Sequence, residues 1–421
     1  MKLKLSKLGE KLCASTGILE LMDDLGVAMS GTEKLLMLGG GNPAGIPEVQ
    51  AVWREGMQEI MSEEGRFDQV LVNYDTPQGR PEFIRALVDF LNRNYGWNIG
   101  PENVAVTNGS QSAFFYLFNM LAGEFSDGTM GRILLPLAPE YIGYADQGLV
   151  DSLFTARKPS LEFIDKHTFK YHIDFDALEL SEEITAICFS RPTNPTGNVL
   201  TNQEVDRLSA IAKERGIPLM IDNAYGAPFP GILFREIEPV WEEHHIISLS
   251  LSKLGLPGTR TGIIIAAPEL AKALSNANAV ASLANGNLGQ ELVAPLLRDD
   301  RILDISRRLI RPFYEQKAGQ ARAWLMAELD DDLPYCLHVT EGAMFLWLWC
   351  RDFPITSKEL YRRLKARGVI VVSGHYFFYG MEADEPQRNE CIRINHSQSD
   401  EIVREGLRII AEEVARGYGE A

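Results

Sequence analysis

Apolar runs of strand length alternate with helical patterns through the middle of the chain. "NVAVT" (Asn103 to Thr107) leads into "SQSAFFYLFNMLAG", where aromatic and aliphatic residues recur at helical spacing. "RILLPL" (Arg132 to Leu137) reads as a short buried strand. "TAICFS" (Thr185 to Ser190) precedes a Pro-rich loop, and "NQEVDRLSAIAKERG" then reads as an amphipathic helix ending at Gly216. "IPLMID", "HIISLS" and "TGIIIAA" supply three more strands. Continuous Val/Ile/Leu runs separated by helices predict a mostly parallel sheet covered on both faces, with ligands at the C-terminal strand ends.

The pattern changes after about Arg311. A long helical stretch is followed by "EGAMFLWLWC", the helix-like "SKELYRRLKARG", then "VIVVSG", "CIRIN" and a charged final helix. This mixture predicts a smaller α+β domain over 311–421, joined by the N-terminal segment 1–45, with a large domain over 46–310. "FLWLW" alternates like a strand, and "FFYLF" reads as core packing of a helix.

Composition narrows the class. A chain of 421 residues, 45% hydrophobic and 24% charged, is expected to be soluble and to form two lobes. A formal charge of −17 disfavours nucleic-acid and anionic-membrane partners. Five dispersed cysteines without a CxxC pair suit reduced thiols, and no apolar run approaches a membrane span. Lys7, Glu10 and Lys11 interrupt any signal-peptide core, so a cytoplasmic protein is expected. The pair His244-His245 lacks metal-ligand spacing, and "MLGGGNP" lacks the strand–turn–helix setting of a dinucleotide fingerprint.

Four strand ends carry unusual polar residues. "TNGSQ" (Thr107 to Gln111) opens a helix, a suitable phosphate cradle but also an ordinary cap. "SRPTNPTGN" stiffens a loop around Asn194, or is simply a crossover turn. "IDNAYG" ends an apolar strand on Asp222, with Tyr225 three residues on; helix capping is the alternative. "SLSKLGLPGTRTG" places Ser250, Ser252, Lys253 and Arg260 after another strand, where a surface turn is the ordinary reading.

One ligand needs all four groups: pyridoxal 5′-phosphate. Lys253 would hold its aldehyde as a Schiff base and act as the proton-transfer base. Arg260, Ser250, Ser252 and the Ser110/Gln111 turn would hold the phosphate. Asp222 would keep the ring nitrogen protonated, and Asn194 and Tyr225 would bond the phenolic oxygen.

Those motifs, with "NYDTPQG", "PLAPEYIGYAD" and "CIRIN", resemble the fold-type I PLP-dependent aminotransferases of the aspartate-aminotransferase superfamily over essentially the full length. The resemblance implies a large domain with a mostly parallel seven-stranded sheet plus a smaller α+β domain. It implies Tyr141 stacked on the ring, and Tyr74 reaching across a homodimer to the neighbouring phosphate. It also implies Arg393, with Asn194 and Gly41, at the substrate. Lys253, Asp222 and Tyr225 are then the catalytic set. The implied reaction is reversible amino transfer from L-valine to pyruvate. Another PLP reaction on the same scaffold, such as alanine or aromatic transamination or β-elimination, remains the alternative. A regulator carrying an aminotransferase-like domain is disfavoured, since only about forty residues precede "GGGNP".

Overall fold

The computed structural model describes residues 4–14, 16–30, 35–381 and 385–420, and the side chains of 21, 24, 25 and 27–30 lie outside that description. Its central sheet has eight strands rather than seven. The order is Val104–Thr107, Gly262–Ile265, His245–Ser250, Leu219–Asp222, Ile184–Ser190, Met130–Leu135 and Gly123–Glu124, with Phe154–Ala156 also pairing with Met130–Leu135. Only Gly262–Ile265 and the two-residue Gly123–Glu124 run against the rest. That short hairpin partner is too brief to show in a hydrophobic pattern.

The strands Gly262–Ile265, His245–Ser250 and Leu219–Asp222 are buried along their whole length, and the sheet's side chains feed two separate cores. Ile187, Met220, Ile246 and Ile264 face one cluster, with Phe114 and Phe118 of the helix Ser110–Leu121. Val104, Val106, Ile247, Leu249 and Ile263 face the other, with Phe83 and Leu87 of the helix Pro81–Tyr95. Burial on both faces explains why these strands read as continuous apolar runs, and burying each such side chain is worth about 1.5–3 kcal/mol.

A second, six-stranded sheet runs Val372–Ser373, Cys391–Asn395, Phe345–Cys350, Tyr335–His338, Thr168–Ile173 and Pro159–Asp165. The hairpin 159–173 lies within the expected large-domain range, yet it pairs with Tyr335–His338 of this sheet. All six residues of Phe345–Cys350 are buried, so the strand is covered on both faces rather than one. "VIVVSG" splits in two. Val369–Ile370 pairs with Leu36–Met37 of the N-terminal segment, while Val372–Ser373 pairs with Cys391–Asn395. The helix Gly17–Ser30 precedes that segment and lies against the 142–144 turn.

Among the described residues no helix is long and apolar enough to cross a membrane, and no group of His, Cys, Asp or Glu could hold a metal ion. Cys13 is exposed and the other four cysteines are buried and free.

Candidate active site

The C-terminal ends of the parallel strands open into a cavity of about 290 Å³, at the lower edge of the usual small-molecule range. Ser110, Gln111, Tyr141, Asn194, Asp222, Tyr225, Ser250, Ser252, Lys253, Arg260, Arg393 and Gly41 all line it. Twelve positions spread over more than 350 residues therefore meet at one place. Tyr74 alone does not; it is 82% exposed, outside the cavity of its own chain.

Register sets the arrangement. Asp222 ends its strand beside Ser190 on one neighbour and Ser248 on the other. Its Oδ2 accepts a 2.5 Å hydrogen bond from the Tyr144 hydroxyl, and Oδ1 accepts one from the Ala224 N–H at 3.0 Å. Burial pushes the Asp222 carboxyl up, and the Tyr144 hydrogen bond pulls it back down. A protonated pyridine nitrogen is the kind of partner such a buried carboxylate calls for.

Lys253 sits in a short 3₁₀ turn just beyond the strand His245–Ser250. Its Nζ donates to the Gly41 carbonyl at 2.5 Å and lies 5.1 Å from the Tyr225 ring centre. Burial first, then repulsion from Arg393 and Arg260, lowers the ammonium to about 8, against the opposing pull of Asp222. At pH 7 roughly one such amine in ten is neutral, against roughly one in three thousand for an ordinary lysine. A neutral amine is what attacks an aldehyde and accepts a proton.

One part of the cavity wall is built from a turn, a helix and an arginine. Gly109 (φ 88°) precedes the helix Ser110–Leu121, whose first N–H groups lack intrahelical carbonyls. A Cβ on Gly109 would stand 2.1 Å from Arg260 Nη2, and one on Gly262 would stand 2.3 Å from the Ser110 nitrogen. Both glycines thus keep a tight cradle open. The Ser110 Oγ donates to the Leu249 carbonyl at 3.3 Å, and Ser250 Oγ accepts from the Ser252 N–H at 3.2 Å. The Gln111 side chain is spent elsewhere: its Nε2 donates to the Gly143 carbonyl at 2.7 Å. Its main-chain N–H is what it offers an anion.

Arg393 is buried in the cavity wall. Nη1 donates to Asn194 Oδ1 at 2.6 Å, Nη2 donates to the Gly39 carbonyl at 2.5 Å, and Nε has no partner among the described residues. The guanidinium lies 4.3 Å from the Phe345 ring centre and 5.4 Å from that of Phe377. Burial lowers it to about 10, still fully cationic at neutral pH. The next residues hold the glycine segment in place: Asn395 Nδ2 donates to the Gly40 carbonyl at 2.5 Å, and Ser397 Oγ to that of Asn42 at 3.0 Å. Tyr225 packs edge-on against Phe345 at 5.8 Å, and burial pushes its phenol up, so it stays a donor.

Three features escaped the sequence pattern. Tyr144 and the buried Glu140 sit in "APEYIGYAD", where the resemblance singles out only Tyr141. Ile18 and Met22 of the helix Gly17–Ser30 line the cavity with Ile142 and Phe114, an apolar rim from a segment whose pattern suggested no part in the site. The Tyr-x-x-Tyr spacing in "YIGY" was the one available signal for Tyr144.

The donor set fits pyridoxal 5′-phosphate: an amine of lowered basicity, a buried carboxylate, amide and phenol donors, and a helix N-terminus with an arginine. The comparisons agree. The model of the family Aminotransferase class I and II matches residues 34–410. The valine–pyruvate aminotransferase of Escherichia coli K12 is 47% identical over 417 residues, 99% of each chain. The crystal structure of valine-pyruvate aminotransferase from Salmonella typhimurium LT2 superposes with a TM-score of 0.88 at 45% identity, covering 96% of this chain and 100% of that one. An α-aminoadipate aminotransferase from Thermus thermophilus, complexed with a phosphopyridoxyl-leucine adduct, shares the fold at 23% identity. It covers 99% of this chain and 98% of its own, with a TM-score of 0.77. The chain belongs to the class I and II aminotransferases, and its cofactor is pyridoxal 5′-phosphate.

Proposed function

We propose that the protein transfers the amino group of L-valine to pyruvate, giving 3-methyl-2-oxobutanoate and L-alanine, reversibly. Identity of 47% over 99% of both chains to a valine–pyruvate aminotransferase carries this reading. The cavity supports it. Its described cations are Lys253, Arg260 and Arg393, leaving none for a second carboxylate, and Ile18, Met22 and Ile142 offer an apolar rim to a small aliphatic side chain.

When bound, the cofactor supplies an aldehyde for the amine and an electron sink for the Cα–H bond. Lys253 Nζ would anchor it and is the amine placed to take the Cα proton of the amino acid. The lowered basicity of the amine makes a neutral base available near pH 7. Asp222 holds the proton on the ring nitrogen, with Tyr144 fixing its carboxylate. Asn194 and Tyr225 would donate to the phenolic oxygen, and Tyr141 would face the ring. Ser110, Gln111 (through its N–H), Ser250, Ser252 and Arg260 would hold the phosphate. Arg393 orients the substrate carboxylate, its fork bonding both oxygens beside Asn194 and Gly41. The working form is a cytoplasmic homodimer, in which Tyr74 serves the partner's phosphate.

The test is a panel of amino donors with pyruvate, followed by alanine formation. Valine, 2-aminobutyrate and isoleucine should all react, because an apolar pocket separates neighbours by only ~1–3 kcal/mol per methylene. Efficient turnover of aspartate with 2-oxoglutarate, and none of valine with pyruvate, would overturn the substrate reading.

A further inference from the structure

Glu140 is 1% exposed and sits where four parts of the site converge. Its Oε1 accepts a 2.7 Å hydrogen bond from the Tyr141 N–H and another from the Ser190 hydroxyl, and Oε2 accepts the Ser190 N–H at 2.9 Å. Ser190 is the register partner of Asp222, and the next N–H, that of Arg191, donates to the Asp222 carbonyl at 2.9 Å. The Ser190 carbonyl in turn accepts from Thr193 Oγ1 at 3.0 Å, at the start of the loop that carries Asn194. On its other side, the Glu140 N–H donates to the carbonyl of Phe377, whose ring faces Arg393.

A buried carboxyl is costly, and among the described residues every group that hydrogen-bonds it is neutral. Two of its three donors are main-chain N–H groups, which can only donate. An amide in its place would set an NH₂ against one of them. The groups facing it are Asp222, Tyr144, Cys188 and Tyr379, none of them cationic. Burial, reinforced by Asp222, pushes the carboxyl up to about 7. A simple capping role would need only one oxygen and no burial.

We propose that Glu140 is a positioning residue: its carboxyl locks the Tyr141 main chain to the strand end beside Asp222, fixing how the ring-facing tyrosine sits relative to the carboxylate and to Asn194. Glu140 is not among the residues lining the cavity and acts through Tyr141 and Ser190. The proposal rests on family membership and is independent of which amino acid is the donor.

The experiment compares the wild-type holoenzyme with Glu140→Gln, Glu140→Ala and Ser190→Ala. It reads the induced circular dichroism of the cofactor's visible band, its absorbance against pH, cofactor dissociation, and kcat separately from KM. Glu140→Gln should keep the fold while lowering the visible dichroism at least about two-fold and shifting the pH midpoint of the band. Cofactor dissociation should rise roughly 10-fold, the value of about one net hydrogen bond. kcat should fall and KM for the donor should stay within about two-fold. Glu140→Ala should exceed this, and Ser190→Ala should shift the same readouts by less. If Glu140→Ala fails to fold, the near-isosteric Gln and the Ser190 variant decide. Wild-type dichroism and wild-type cofactor affinity in folded Glu140→Gln, or a loss confined to KM, would overturn the proposal.

Discussion

Lys253 carries opposing influences that make its behaviour predictable. Burial and the two arginines disfavour its charge, while Asp222 favours it. Capture of pyridoxal 5′-phosphate by the apoprotein should therefore speed up with pH around a midpoint near 8 rather than near 10.5, as followed by stopped-flow absorbance. Borohydride reduction followed by peptide mapping should place the adduct on Lys253; an adduct on another lysine would refute the assignment. The same shift bears on folding. An amine lowered from 10.5 to about 8 leaves the unfolded chain binding more protons between those values, so apoprotein stability should gain from this group as pH rises from 8 to 10.5. Lys253→Met should remove that gain in urea melts at paired pH values. Asp222→Asn tests the other partner. Removing a buried negative charge from the ring nitrogen should lower kcat by roughly 10²-fold or more, with the cofactor still bound. Turnover near the wild-type value would give Asp222 a different task.

At the scale of elements, the site depends on how closely strand ends and helix starts can approach. Gly262 lies between Thr107 and Ser250 in register, and its missing side chain leaves room for the Ser110 nitrogen. Gly262→Ala should push that helix start away, weakening cofactor binding at least about 10-fold in a fluorescence titration. The overpacking should also cost about 1–3 kcal/mol in a urea melt. A variant with unchanged cofactor affinity would mean that the cradle is more pliable than its 2.3 Å clearance implies. Such clearances are invisible in a sequence, whereas the strands around them are plain. Long Val/Ile/Leu runs ending on polar residues announce both the sheet and its ligand end, and most of the expected cavity residues lie on those ends or the loops that follow. What did not show was non-local or disguised. The hairpin 159–173 joins the second sheet through a partner more than 160 residues away, which no local period encodes. The resemblance singles out neither Glu140 nor Tyr144, and only burial reveals what they bond. The helix Gly17–Ser30 carries no motif of the site, and its place at the cavity rim follows from tertiary packing alone.

For the whole molecule, the exposed apolar residues ask to be covered. Val72, Leu71 and Phe67 project from the helix Arg66–Val72, and Val280, 91% exposed, from the helix Pro268–Ser282 with Leu283 just beyond it. Asparagine side chains hold these regions together: Asn278 Nδ2 donates to the Pro77 carbonyl at 3.0 Å, and Asn287 Nδ2 to that of Asn73 at 3.0 Å. Tyr74 stands on the loop between, its side chain largely in solvent. An apolar face of this kind suits association with a second copy, and the proposed homodimer, if it forms through this face, would be completed by Tyr74. Two substitutions separate the parts. Tyr74→Phe should leave the dimer intact and weaken cofactor binding roughly 10- to 100-fold, the loss of one hydrogen bond to a charged phosphate. Val72→Asp combined with Val280→Asp should instead give a monomer in sedimentation velocity, with the same cofactor defect even though Tyr74 is present. If that monomer kept full cofactor affinity and turnover, each chain would complete its own site, and the exposed tyrosine would need another explanation.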